Sequence, residues 1–429
     1  GGNDVIDGGA GNDVIDGGIG NDLMMGGAGN DTYTFGDGID VIDYSTLQDS
    51  ITLVRGGTVD KGELGTDTFT DFYERIIATN NANDWIDGLT GGGSIASLNV
   101  DLSTDSLTVS NLPGIGSFTS LVEGFENVRG SNTADQIIGD NGENTLIGNG
   151  GNDVIDGGIG EDIIYGGYGL DRLLGGEDND RIYGEQGDDL IYGQSGNDQL
   201  FGGYGKDNLE GGDGNDIIYG EQDDDNLSGG AGDDYLDGGY GRDLLQGGSG
   251  EDTLIGGAES DTLDGGAGND VIDGGIGNDL MMGGAGNDTY TFGDGIDVID
   301  YSTLQDSITL VRGGTVDKGE LGTDTFTDFY ERIIATNNAN DWIDGLTGGG
   351  SIASLNVDLS TDSLTVSNLP GIGSFTSLVE GFENVRGSNT ADQIIGDNGE
   401  NTLIGNGGND VIDGGAGNDV IDGGIGNDL

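Results

Sequence analysis

The chain has 429 residues, 94 of them glycine, and sets 80 acidic against 12 basic side chains for a formal charge of −68, with neither histidine nor cysteine. That composition excludes zinc-protease motifs, cysteine nucleophiles and serine–histidine triads within this sequence, and leaves too few cations to hold a nucleic-acid backbone. No apolar run approaches the ~18 residues of a membrane span, and the lack of cysteine fits an extracellular protein held by metal rather than by disulfides.

In chain order, residues 1–43 are nine-residue repeats such as GGAGNDVID, residues 44–129 are an irregular block, and residues 130–300 are repeats again. A second block follows at 301–386 and further repeats at 387–429. The longest run, Gly130 to Thr291, is eighteen consecutive nonads. Its first position is always glycine, its eighth is always large and apolar (Ile137, Leu146 and on to Met281 and Tyr290), and its sixth is Asp except at Asn144. Neither a helix nor a flat strand generates a nine-residue rhythm, so the pattern predicts a solenoid. GGxGxD suits a tight turn with positive φ, and the next three residues suit a short strand with one inward side chain. Two nonads then close one coil of two thin parallel sheets, and coils stack at about 4.8 Å.

Stacking places the sixth-position Asp of each nonad beside that of the next nonad but one. One column runs Asp135, Asp153, Asp171, Asp189, Asp207, Asp225, Asp243, Asp261, Asp279, and the other Asp162, Asp180, Asp198, Asp216, Asp234, Asp252, Asp270, Asp288. The flanking repeats add Asp4, Asp13, Asp22, Asp31, Asp392, Asp410, Asp419 and Asp428, and nonad-like endings in the blocks add Asp84 and Asp341. Such columns would repel strongly. A hard cation between turns, held by Asp oxygens and glycine carbonyls, relieves this, and Ca2+ suits an all-oxygen site. All these Asp residues are therefore candidate calcium ligands, about sixteen sites in the long run alone. Without calcium the same composition predicts a disordered acidic chain.

The motifs GGAGNDVID, GGIGNDLMM and GGAGNDTYT closely resemble the RTX (repeats-in-toxin) β-roll, a family that includes serralysin-type proteases, haemolysin-type toxins, surface-layer proteins and giant adhesins. The resemblance covers roughly half of the chain directly. It implies an all-β, right-handed parallel β-roll with Ca2+ in the GGxGxD turns, type I secretion to the outside or surface of a bacterium, and folding on meeting extracellular calcium.

Duplication is the second organising fact. Residues 7–158 recur without one change as 264–415, and 1–23 as 407–429, so the basic unit is 149 residues. The two copies are separated by 108 further residues, twelve nonads that carry GGYG at Gly166, Gly202 and Gly238. The chain starts and stops within a repeat, as expected of a piece of something longer. Each block, Tyr44–Arg129 and Tyr301–Arg386, divides into two related halves that open on strand-like ITLV (Ile51) and LNVDL (Leu98) and pass a glycine or proline turn. They read as enlarged rungs of the same solenoid, with Phe69, Phe72, Phe118 and Phe125 filling a wider core; a small separate β domain is the alternative.

Tyr165, Tyr183, Phe201 and Tyr219 recur every eighteen residues, predicting a ladder on one side of the roll. It either stiffens the roll or offers a strip for a neighbouring fibre or a cell-surface glycan. Trp85 and Trp342 are either interface anchors or packed on an adjacent rung. No EF-hand loop, phosphate loop or nucleophile–base constellation is present. The expected role is structural and non-enzymatic: a calcium-stapled extracellular fibre, sheath or matrix filament that associates with itself. The alternative is the stalk or C-terminal region of an adhesin or secreted enzyme whose active domain lies elsewhere.

Overall fold

The computed structural model describes every residue except 55–56, 82, 90–95, 113–115, 312–313, 328–329, 347–352 and 370–372. Two units, Gly1–Gln222 and Asp223–Leu429, are built alike. Among the described residues there are β-strands and short 3₁₀ turns and no α-helix, so none could cross a membrane as a helix.

In the first unit β1 (Val5–Asp7), β2 (Val14–Ile19), β3 (Leu23–Met25), β4 (Thr32–Asp37) and β5 (Val41–Asp43) fall alternately into two sheets. β1, β3 and β5 pair in parallel in one sheet, and β2 and β4 in the other, with partners eighteen residues apart such as Val5 with Leu23 and Val14 with Thr32. The strands are short because each nonad spends its other residues turning the corner. The eighth-position side chain of each nonad points between the sheets: Met24, Tyr33, Ile137, Leu146, Ile155 and Ile164 are fully buried.

The block enlarges both sheets by a device that strand-likeness alone does not reveal. β6 (Thr52–Val54), β7 (Thr58–Asp60) and β8 (Thr66–Phe69) form an antiparallel meander. Its last strand, β8, lies in parallel on β4. After β9 (Arg75–Ile77), which lies on β5, β10 (Trp85–Asp87) pairs in parallel with the meander's first strand, β6. The chain thus climbs, lays down β6, and returns by β7 to the rung it had skipped. The other sheet repeats the manoeuvre with β11 (Ser97–Asp101), β12 (Ser106–Leu112) and β13 (Gly116–Glu123): β13 lies on β9, and β11 receives β15 (Gln136–Ile138). β14 (Asn127–Arg129) continues from β10 to β16 (Thr145–Gly150). Each meander adds two strands to its sheet, one meander to each sheet, so both gain equally and the eighteen-residue register resumes with Ile137 opposite Ile155. In the second unit the meanders are Thr309–Val311, Thr315–Asp317, Thr323–Phe326 and Ser354–Asp358, Ser363–Leu369, Gly373–Glu380. Pairing to the coils on either side makes these enlarged rungs of the solenoid.

The wider core differs from expectation in one residue. Phe125 is buried, and Phe69 and Phe118 belong to an edge-to-face chain Tyr33–Phe69–Tyr73–Phe118 with ring centroids 5.4–5.9 Å apart. Phe72 is 48 % exposed and lies on Phe118, because its neighbour Tyr73 takes the inward position. Its copy, Phe329, is outside the described residues, as are turn residues Gly56 and Pro113. Trp85 is half-buried in register between Thr52 and Asn127, and the Arg129 guanidinium covers its ring at 5.5 Å. Trp342 and Arg386 repeat the arrangement.

Candidate metal centre

The nonad Gly184–Tyr192 shows how a site is assembled. Its second and fourth positions, Glu185 and Gly187, have φ of 73° and 132°. The left-handed turn persists although Glu185 has a Cβ, at a cost of about 1 kcal/mol or more. The turn delivers Asp189 to the mouth of its strand, where the Asp189 carbonyl accepts the Asn208 N–H of the next coil at 2.9 Å. Asp189 Oδ1 accepts the backbone N–H of Asp171, 2.8 Å away, and the N–H of Asp189 donates in turn to Asp207 Oδ1 at 2.7 Å. Each Asp is thereby fixed by the Asp one coil earlier, and the carboxylates become a ladder.

The second oxygen of each carboxylate has a different fate. The Oδ2 atoms of Asp153, Asp162, Asp171, Asp180, Asp189 and Asp198 are buried without a protein hydrogen-bond partner, as are those of Asp243, Asp252, Asp261, Asp270 and Asp279. A Cβ added at Gly184 would lie 2.6 Å from Asp189 Oδ2 and 2.6 Å from the Gly202 carbonyl oxygen. First-position glycine is required because two oxygens already crowd that spot, and Gly256 is placed the same way against Asp261 Oδ2 and the Gly274 carbonyl. Burial raises the carboxyls of Asp153 and Asp162 to about 7 and those of Asp180 and Asp189 to about 8, with neighbouring acids adding to the rise. Uncompensated, these four carboxyls hold protons near neutral pH. A carboxylate oxygen stripped of water and given no donor is costly, and a cation bound through oxygen removes that cost. No three acidic side chains converge among the described residues, so an ion here must draw most ligands from turn carbonyls. Ca2+, which takes 6–8 oxygens in flexible geometry, fits that donor set.

The predicted site residues fall into two groups. The Asp residues of the long run are ladder members. So are Asp22, which accepts from Asp4; Asp31, from Asp13; Asp410, from Asp392; Asp419, from Asn401; and Asp428, from Asp410. Asp84, Asp135 and their copies Asp341 and Asp392 stand on the ladder with both oxygens engaged. Asp84 Oδ1 accepts from Ile51 N–H, and its Oδ2 accepts the N–H and hydroxyl of Thr79 at 2.9 and 2.7 Å. Asp135 is bound by Leu98 N–H and by both the N–H and the hydroxyl of Ser131. Asn144, the one exception in the repeat, turns its Nδ2 onto the Glu126 carbonyl and Asp140.

Sequence reasoning missed that the ladder runs on through the blocks. Asp22 N–H donates to Asp40, Asp31 to Asp67, Asp40 to Glu74 and Asp84 to Glu126, over separations of 18, 36, 34 and 42 residues. Asp297, Asp324, Glu331 and Glu383 do the same in the copy. The signal was an acidic residue two places before an apolar one, in Asp40–Ile42, Asp67–Phe69, Glu74–Ile76 and Glu126–Val128. It was hidden because no GGxG precedes these residues.

Among known proteins, the family model for the RTX calcium-binding nonapeptide repeat matches the chain in overlapping stretches that cover residues 1–42, 129–299 and 380–429, more than half of its length. A search of the curated proteins found no match.

Proposed function

The chain belongs to the RTX calcium-binding nonapeptide repeat family, and from that premise we propose that it is a calcium-stabilised extracellular structural protein whose repeats build a surface fibre, sheath or matrix filament. RTX repeats are typical of secreted proteins. The observation that carries the calcium reading is the buried, partnerless Oδ2 atoms of Asp153, Asp162, Asp171, Asp180, Asp189 and Asp198 and of Asp243, Asp252, Asp261, Asp270 and Asp279. Those Asp residues and the turn carbonyls would hold the ions, which supply positive charge and cross-link one coil to the next. The unbroken identity of residues 7–158 with 264–415 supports a structural role, since a single catalytic domain gives no reason for long identical copies. Self-association is the partner this reading implies. The ladder Tyr165–Tyr183–Phe201–Tyr219, stacked with centroids 4.8–5.3 Å apart, offers a lateral strip for a second fibre or a glycan.

Circular dichroism in EGTA and then in millimolar calcium tests the first half, with a large gain of β signal expected on adding calcium; a spectrum indifferent to the chelator defeats it. Electron microscopy of the native protein tests the second. Elongated filaments are expected in calcium, and compact monodisperse particles would replace the fibre reading with that of a stalk.

A further inference from the structure

This acidic chain has three lysines, and two of them, Lys61 and Lys318, are completely buried at equivalent places in the two copies. Lys61 follows β7 and precedes a short 3₁₀ turn, Gly62–Leu64, at the junction of roll and block. Its Nζ lies 3.0 Å from Asp31 Oδ2, 2.6 Å from Asp67 Oδ1 and 2.8 Å from the carbonyl oxygen of Gly27. Lys318 repeats the set on Asp288 Oδ2, Asp324 Oδ1 and the Gly284 carbonyl at 2.7, 2.6 and 2.9 Å. An ammonium has three protons to give, and all three are used.

The partners are those a regular coil offers to an ion: the second oxygen of one ladder Asp, the ladder carboxylate of the next rung, and a carbonyl of the GGxG turn. What differs is the rung above. The segment leading to Asp67 reads KGELGTD. Its second half copies the nonad turn, since Gly65 has φ of 111° and Thr66 N–H bonds Asn30 Oδ1 at 2.8 Å, as Asn30 N–H bonds Asn12 Oδ1 at 2.9 Å. Its first half, where a nonad has its leading glycines, is replaced by chain arriving from the meander with Lys61 at its head. The Tyr44 hydroxyl donates to Asp67 Oδ2 at 2.9 Å and shares the charge that one ammonium leaves over between two carboxylates.

We propose that Lys61 and Lys318 are tethered cations standing at the ion position of the roll–block junction, so that calcium is excluded there and the joint closes without metal. The proposal rests on the calcium reading of the columns. Equilibrium dialysis with metal analysis, on the whole chain in millimolar calcium, tests it through K61M/K318M. The variant is expected to bind about two more calcium ions per chain than the wild type. Adding Asp67→Asn and Asp324→Asn is expected to abolish the gain, and Lys206→Met, at an exposed lysine, to leave the count unchanged. A wild type that binds no calcium would sink the calcium reading itself. An unchanged count in K61M/K318M, over a calcium-loaded wild type, sinks only the lysine assignment. So does an equal gain in Lys206→Met. Failure of K61M/K318M to fold in calcium also overturns it, whether the Asn variant folds (the vacated position then rejects calcium) or does not (lysine then serves something other than its charge).

Discussion

The nonad roll and the inserted block share one carboxylate ladder but close it differently. In the roll the typical ladder Asp spends Oδ1 on a backbone N–H and leaves Oδ2 buried without a donor, as at Asp162 and Asp180. In the block, and in the first nonad after it, the second oxygen meets a donor from the chain itself: Thr79 on Asp84, Tyr44 on Asp67, and the Ser131 N–H on Asp135. The cores differ in the same sense. A nonad of the roll buries one aliphatic side chain, whereas the block encloses Tyr44, Tyr73, Phe125, Leu53, Val100 and Val109 together. One buried aliphatic group stabilises by about 2 kcal/mol, no more than ordering one or two residues costs. Nine residues suffice for a rung when the cation comes from outside, and several times as many are needed when the rung must supply its own donors and core.

The largest test of that contrast is removal of calcium. In EGTA, hydrogen exchange followed by mass spectrometry should find peptides from 130–300 fully exchanged, while Tyr44–Arg129 and Tyr301–Arg386 keep measurable protection. Equal exchange in both regions would erase the distinction. Acid comes next in size. Within the long run burial raises the carboxyls of Asp153 and Asp270 to about 7 and that of Asp189 to about 8 in the folded state. Folded roll therefore binds protons that the unfolded chain, with ordinary carboxyls, has released. That contribution to stability is present at acid pH and is lost as pH rises through about 6 to 8, where the roll carboxyls titrate. Metal-free chain should regain β signal as pH falls from 8 towards 4, and calcium affinity should weaken over the same interval as protons compete. No recovery on acidification would show that burial is not what strains the columns.

Single substitutions sharpen the comparison. Asp180→Ala removes the acceptor of Asp162 N–H and one buried oxygen. It should lower the calcium count by one or two and destabilise by about 3 kcal/mol, confined to neighbouring coils because solenoid stability is nearest-neighbour. Thr79→Val should destabilise the block by about 1 kcal/mol and leave the calcium count alone. Collapse of a whole unit from Asp180→Ala, or calcium lost with Thr79→Val, would contradict the division.

The roll was legible because its constraint repeats. Position eight must fill a gap one side chain wide, position one must leave room for two oxygens, and any departure from that rhythm is visible at once. The block was legible only in part. Its strands at Ile51 and Leu98 could be read from alternation, but climbing to β6 and returning to β8 is a choice between two parallel neighbours, settled by packing of the finished sheet. Lys61 was invisible for a related reason: a lone lysine in an acidic chain looks solvated until the meander carries it onto Asp31.

The smallest expected effect concerns a part of the roll that needs no ion. Tyr183, Phe201 and Tyr219 lie in register on successive strands, half-buried, with rings tilted by only 10–11° and centroids 4.8 and 5.3 Å apart. Phe201 stacks on both faces, so Phe201→Leu breaks two contacts while keeping an apolar side chain of similar reach. Each stacked pair contributes about 0.5–1.5 kcal/mol beyond its buried area, and partial exposure favours the low end. The variant should lose about 1 kcal/mol locally, seen as faster exchange in Gln199–Tyr204 and its two partner strands. The loss should be the same at saturating and at limiting calcium, because the rings lie outside the turns that hold the carboxylates. A loss that grows as calcium becomes limiting would mean that stack and ion sites are one cooperative element, and the roll would then be less dependent on external cations than the contrast with the block implies.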